Sequence, residues 1–383
     1  MDSEQLSEEL RETRIRLAIA EHQLNTIKGS PAWRLITAWR QWIAASRESL
    51  PGRVADRLGR KVISAFGADQ PELATQTPPQ NEPAKAPGRL IVCHEPPYNG
   101  RVFLAVDGRR HWALSTDHLA DYGLRIQDAE PVSKEVVRMY ANAGNLPRVW
   151  PESAWLNPPR SNATELREIA ASRLRGKGVE FGAGTYPFSV PLECAVKFAD
   201  FVPEEELRRV KYEAQGEDFV PLDYVTGIEE MEGIGDASMD FLVACHVIEH
   251  VRNPLKALQK GFQKVKPGGT FLLVVPEKTK TFDRDRGVTP LEHLIADYES
   301  PDLARDAEDY RDYFTTVRGY SPQQVQEAIA ERRDLHYHTW TYTTFGETLD
   351  YCCKQIAPWR VVWAQPAIED QSDSIEFYYV LER

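Results

Sequence analysis

The chain has 383 residues, of which 42% are hydrophobic and 27% charged, with a formal net charge of −12 at pH 7. That length suits two or three structural units with a full hydrophobic core, and the acidic balance argues against general nucleic-acid binding. No run of about eighteen apolar residues is present, so no membrane span is expected. The opening MDSEQLSEELRE is too polar and acidic for a secretory signal. The five cysteines, Cys93, Cys194, Cys245, Cys352 and Cys353, form no CxxC pair and read as reduced, buried thiols of a cytoplasmic protein.

Residues 1–30 carry Leu6, Leu10, Thr13, Leu17, Ala20, Leu24 and Ile27 at alternating spacings of three and four, a short heptad pattern. A helix of that length is marginal alone, so it calls for a partner helix, either in a homo-oligomer or within its own domain. Ser30 and Pro31 then suit the cap and first turn of a new helix. Residues 31–66 form a basic amphipathic pair around Trp33, Trp39, Trp42, Leu58 and Phe66, with seven basic residues against Glu48 and Asp56. Two uses are open: peripheral contact with an anionic membrane surface, or a solvated basic face over an internal core. Residues 67–89, rich in Pro, Gln, Ala and Thr, read as a flexible linker.

Residues 90–150 predict a small β-rich module. Arg89–Cys93 and Arg101–Val106 are strand-like, Asp107-Gly108 is a hairpin turn, Arg110–Leu114 returns, and Ser115 is expected to cap a helix over Thr116–Tyr122. His111 and Trp112 suit either a sugar contact or, more simply, the packing of a small core.

From about residue 155 strands and helices alternate, which predicts an α/β fold with a mostly parallel sheet. Gly178–Thr185 runs from a strand into a Gly-rich turn, with Glu180 near the strand's C-terminal end and Gly182 and Gly184 free to approach a ligand. Ala195–Asp200 is a second strand ending in an acid placed to bond ribose hydroxyls. Asp218–Tyr224 is a third strand with Asp223 at its end. Ser238–Cys245 is a fourth, followed by His246, Glu249 and His250. Asn253-Pro254 opens a helix, Lys266-Pro267-Gly268-Gly269 closes it, and Thr270–Pro276 is a buried fifth strand.

This succession, with Glu249-His250 after the fourth strand and KPGG before the fifth, resembles the class I (Rossmann-like) methyltransferases that use S-adenosylmethionine. The resemblance covers 175–276 closely. It implies a seven-stranded, mostly parallel sheet over 155–383, preceded by the N-terminal helices and the small β-rich module. It also implies cofactor contacts from Glu180, Gly182, Ala183 and Gly184 to the methionine end, from Asp200 to the ribose, from Phe201 near the adenine, from Asp223 and Tyr224 at the adenine edge, and from Cys245 and His246 close to the sulfonium. Two departures stand out. Tyr186 replaces the third glycine of the turn, and Thr185–Glu193, with Pro187 and Pro191, is too short for a first crossover helix.

Further segments, FDRDRGVTPLEHLIADY (282–298) and LHYHTWTYTTF (335–345), resemble a subfamily associated with bacterial surface polysaccharide genes. The stretch FLAVDGRRHWALSTDHLADYGL (103–124) is similar to a module of bacterial cell-surface and glycan-related proteins, and the heptads followed by SPAWRL (30–35) resemble leaders of glycosyltransferases from such clusters. These resemblances imply O-methylation of a sugar hydroxyl on a surface glycan or its precursor, in a complex with glycosyltransferases or as a homo-oligomer, in the cytoplasm or at the inner face of the membrane. Methylation of a lipid-like or quinone-like small molecule, and a non-catalytic scaffold, are the competing readings.

Histidine suits the base that removes a hydroxyl proton, because its pKa lies near neutrality. His293, in the insertion after the fifth strand, is the leading candidate and His250 the second, ahead of His246, His336 and His338. His336 and His338 alternate as on one strand face, which also suits a buried pleat. No metal ligand is assigned, but a divalent ion at Glu249, His250 and His293 stays open. Some methyltransferases of ubiquinone precursors and small-RNA ends use E-x-x-E-H, of which His246 replaces the first acid. The H-x-x-E-H peptidase motif needs both histidines on one helix, which a His246 at a strand end excludes.

Overall fold

The computed structural model describes residues 88–156, 158, 162–210 and 219–383. The proposed coiled coil of 1–30, the basic helices of 31–66 and the linker up to residue 87 lie outside the described residues. Pro87–Arg383 forms one compact unit.

The small β-rich module comes first. β1 (Arg89–Cys93), β2 (Arg101–Val106) and β3 (Arg109–Trp112) form an antiparallel meander. Asp107 at φ 48° and Gly108 at φ 75° make the tight turn between β2 and β3, as a two-residue hairpin of this handedness requires. α1 (Thr116–Ala120), β4 (Glu130–Pro131), α2 (Lys134–Arg138) and β5 (Ala141–Asn145) complete it, giving the sheet order β4-β1-β2-β3-β5. Ile91, Cys93, Phe103, Trp112 and Val137 close its core. Ser115 does not cap α1: its hydroxyl bonds His118 Nδ1 at 2.8 Å instead.

α3 (Glu152–Leu156) and α4 (Ala163–Ala171) lead into the larger sheet. Its strands are β6 (Lys177–Phe181), β7 (Ala195–Asp200), then α5 (Glu204–Val210), β8 (Tyr224–Val225), β9 (Met239–Cys245), then α6 (Pro254–Lys264), and β10 (Val265–Pro276). An insertion holds α7 (Leu291–Glu299), α8 (Leu303–Thr316) and α9 (Pro322–Ala330). α10 (Tyr342–Gln355), β11 (Arg360–Gln365) and β12 (Glu376–Glu382) end the chain. The order is β11-β12-β10-β9-β6-β7-β8. Counted along the chain from the far edge it reads 3-2-1-4-5-7-6, with β12 antiparallel to both neighbours and the other pairs parallel. The expected seven-stranded, mostly parallel sheet is therefore present.

Strand alternation explains the layers. Phe271, Leu273 and Val275 face α6 and α10 on one side, while Leu272 and Val274 face α4 on the other. Asn253 caps α6 by accepting from the Lys256 amide, with Pro254 in the first turn. The KPGG segment differs from expectation. β10 already starts at Val265, and 266–269 form an irregularity inside it. Gly268 sits at φ 78° there, and a Cβ on Gly269 would lie 2.6 Å from the Asp240 carbonyl oxygen.

No helix joins β6 to β7, as the two prolines predicted. The module packs on this bare crossover. Arg109 donates to the Val196 carbonyl at 2.6 Å and Asn142 to that of Thr185 at 3.0 Å. Gly144 lies so close to Pro187 that a Cβ would stand 2.4 Å from its carbonyl oxygen. Buried Glu168 on α4 ties His118 (3.0 Å) and Trp150 (3.2 Å) to the same unit. His111 and Trp112 are buried in the module, and burial pushes the His111 imidazole down to about 4. They serve packing.

Candidate functional site

The strand order reverses between β6 and β9, and ligands of open α/β sheets bind at the C-terminal strand edge at such a reversal. The Gly182-Ala183-Gly184 turn leaves β6 at this edge. Gly182 and Gly184 have φ of 72° and 55°, and a Cβ on Gly182 would meet Val247 Cγ2 at 2.7 Å. The backbone there is thus folded in a way and a space that suit glycine. The Gly182 amide donates to Ala199, which places Asp200, the last residue of β7, at the same edge. One Asp200 carboxylate oxygen accepts from the Phe201 amide at 2.8 Å. Phe201 is 58% exposed and Tyr186 63%.

Glu180 points elsewhere than a bare resemblance suggests. Its carboxylate is 2% exposed and accepts the Phe188 amide at 2.8 and 3.0 Å, pinning the helix-free crossover. Burial raises its pKa to about 8. Asp223 and Tyr224 are also corrected in place. The third strand is only Tyr224–Val225, so Asp223 precedes it instead of ending it. Its carboxylate accepts the Phe198 amide at 3.0 Å and pairs with Lys197 at 3.5 Å. The Tyr224 ring lies under the Lys197 ammonium. Both stabilise the sheet edge, and the loop from Thr226 occupies the C-terminal side.

At the end of β9, burial pushes the Cys245 thiol well up, so it stays protonated and is no nucleophile. His246 takes a left-handed φ of 54° and reaches Glu376 Oε2 with Nε2 at 2.7 Å. Glu376, on β12, was not legible as a site residue. It is 2% exposed and holds Arg167 of α4 through two bonds of 2.6 and 2.5 Å, with the Tyr378 hydroxyl at 2.5 Å. Burial alone would raise its pKa, but Arg167 and His246 hold it well below the usual carboxylate range. The only sequence sign was one acid at the head of the apolar run FYYVL.

Glu249 lies at the centre of a second group. It is fully buried, and neither carboxylate oxygen has a hydrogen-bond partner. His246 Nδ1 stands 3.7 Å from its Oε1, His250 Nε2 3.9 Å and His336 Nε2 4.0 Å. His293 is not in this group. Its Nε2 lies 3.0 Å from Asp297 and 3.5 Å from Asp309, and the Asp309 carboxylate raises its pKa. His338 is buried and pushed down to about 3, and its Nε2 meets the Arg252 carbonyl at 3.2 Å. His336 and His338 share no strand: they lie in an irregular segment before α10.

With the geometry in place, comparison with known proteins adds the class. Residues 155–338 match the family model described as a methyltransferase domain. The match, just under half of the chain, supports an S-adenosylmethionine-dependent methyltransferase domain, and with it S-adenosylmethionine as the methyl donor. No curated protein matches the chain. Among solved structures, an S-adenosylmethionine-dependent methyltransferase from Mesorhizobium loti is 13% identical, with 59% of this chain and 100% of that one covered and a TM-score of 0.36. One from Methanosarcina mazei is 15% identical, covering 56% and 94%, with a TM-score of 0.31. The CurJ carbon methyltransferase is 15% identical, covering 57% and 53%, with a TM-score of 0.32. The chain thus spans about half the length of that last protein. At these TM-scores the likenesses carry no further argument. Among the described residues no helix is long and apolar enough to cross a membrane.

The donor fits the edge described. Asp200, at the tip of β7 beside the Gly182–Gly184 turn, is an acid of the kind that suits a ribose diol.

Proposed function

We propose that the domain transfers a methyl group from S-adenosylmethionine to a hydroxyl oxygen, the acceptor being a sugar of a bacterial surface glycan or its precursor. The observation that carries the donor half is the juxtaposition of the glycine turn with Asp200, at the tips of adjacent parallel strands beside the strand-order reversal. Gly182, Ala183 and Gly184 would line the methionine end, Asp200 the ribose and the exposed Phe201 ring the adenine. The bound donor supplies an electrophilic methyl, and the protein's task is alignment and proton removal. His246 and His250, 29% and 25% exposed at the side chain, are the imidazoles that reach solvent after β9. With His293 they are the candidate groups for proton removal on the acceptor side.

The glycan acceptor rests on the likeness of 30–35, 103–124, 282–298 and 335–345 to polysaccharide-associated proteins. On the same basis we propose a cytoplasmic protein at the inner membrane face, assembled through 1–30 with itself or with glycosyltransferases and touching lipid through 31–66. Calorimetry with S-adenosylmethionine tests the donor half: stoichiometric binding lost in D200A is expected, and no binding by the wild type leaves only the scaffold reading. Radiolabelled methyl transfer to lipid-linked glycans against quinone-like phenols decides the acceptor. Deleting residues 1–66 should lower the mass in solution, and an unchanged mass would remove the assembly role.

A further inference from the structure

We propose that Glu249, His250 and His336, with His246 as the fourth donor, bind one divalent first-row transition ion of the zinc type. The starting point is Glu249, whose two buried oxygens meet no hydrogen-bond donor. A buried unpaired carboxylate is costly, and its environment normally supplies donors or a cation. Three imidazole nitrogens converge on its Oε1, at 3.7, 3.9 and 4.0 Å. All three separations exceed hydrogen-bond length. The Glu249, His250 and His336 ligand atoms all lie within 4.8 Å of one another.

The outer partners decide what those nitrogens present. His336 Nδ1 meets Asp283 at 2.6 Å, His250 Nδ1 meets Asp334 at 2.9 Å, and His246 Nε2 meets Glu376 at 2.7 Å. An ionised carboxylate only accepts, so each of these ring nitrogens carries the proton. In the neutral tautomer this leaves the opposite nitrogen of each ring, the one that faces the Glu249 carboxylate, as a lone-pair donor to a metal. In that tautomer three lone pairs and an anion face one another, an arrangement that a cation between them would relieve. Metal–imidazole and metal–carboxylate bonds of about 2.0–2.2 Å span separations near 4 Å from a point between the donors. A carboxylate behind each ligating histidine is the usual support of such a site, because it sets the tautomer and ring orientation. Arg286 in turn holds Asp283 at 2.9 Å.

The donor set selects the ion. Imidazole with one carboxylate suits zinc, iron, nickel or copper, whereas magnesium and calcium take oxygen ligands. The position also has a use, which rests on the function proposed above. The group follows β9 directly at the strand-order reversal, and His246 and His250 keep it open to solvent. A cation there would lower the pKa of an acceptor hydroxyl and so assist its deprotonation.

The test uses the full chain, stripped with chelator, and titrates Zn2+ by calorimetry, with Mg2+ in parallel. One Zn2+ per chain is expected, bound at least tenfold more tightly than Mg2+. H336Q and E249Q should each weaken Zn2+ at least tenfold, and D283N, which touches no metal, by about tenfold or more. Co2+ in place of Zn2+ should give visible absorption bands that H336Q abolishes. Circular dichroism identifies any variant that fails to fold, and H250Q then replaces it. Absence of stoichiometric Zn2+ binding, or wild-type affinity in the folded variants, overturns the proposal. Donor binding measured on the same samples keeps the two readings apart: a chain that binds S-adenosylmethionine but no Zn2+ refutes the metal site alone.

Discussion

Replacing Arg167 by methionine removes the guanidinium that grips Glu376 while keeping most of the side-chain volume. The two residues are 209 positions apart and join α4, ahead of the first sheet strand, to β12, the last. Stripping one partner from a buried ion pair typically costs about 3–5 kcal/mol, because a charge is left unpaired in low dielectric. Two features of the structure reduce that figure. Arg167 keeps 43% side-chain exposure, so water screens part of the attraction. Glu376 also retains the Tyr378 hydroxyl and His246. A loss of about 2 kcal/mol remains. In a unit of this size that lowers the melting temperature by about 3 °C, and it should appear in urea unfolding as a lower midpoint with unchanged slope. The pH dependence has a definite sign. A carboxyl held below its unfolded value adds stability above about pH 4.5 that disappears as acid protonates it. The R167M variant should therefore lose less stability between pH 7 and pH 4 than the wild type. A cycle with E376Q should show coupling above about 1 kcal/mol. Stability at pH 7 within about 0.5 kcal/mol of wild type, or no coupling, would refute the reasoning.

Gly182→Ala combines a left-handed backbone with a Cβ only 2.7 Å from Val247. We expect a cost of about 1–3 kcal/mol and weaker S-adenosylmethionine binding, and calorimetry giving wild-type affinity would show that the turn is not a ligand cradle. For Glu180 the folded pKa of about 8 lies above the unfolded carboxylate value of 4.5. The fold then keeps a proton that the unfolded chain releases, so this residue's contribution falls as pH rises from about 4.5 to about 8 and is level beyond. E180Q should flatten that slope, and identical profiles of unfolding free energy at pH 5, 7 and 9 for the two proteins would contradict the assignment. Replacing Glu168 by alanine leaves His118 and Trp150 without their acceptor, at a cost of about 1–3 kcal/mol. Hydrogen exchange should then quicken across residues 88–150, and unchanged protection there would show that this contact does not hold the module.

Strand periodicity, the Asp107-Gly108 turn, Asn253-Pro254 and the glycines after β6 act within a few residues of themselves. Local physics suffices for them, and they were legible along with the α/β class and the missing crossover helix. Asp223 shows the limit of that reading: an acid after an apolar stretch looks alike whether it ends a strand or precedes one, and only the pairing with Phe198 places it. His293 shows another, since its two carboxylates come from different helices. The sequence alone determined the layered fold, the glycine turn after β6 and the edge where they meet, because hydrophobic spacing and glycine geometry are written consecutively. Only the tertiary structure decided that Glu376 answers Arg167, and that three histidines from two distant segments converge on Glu249. Burial sets the energy of those charges, and burial depends on what the rest of the chain brings to cover them.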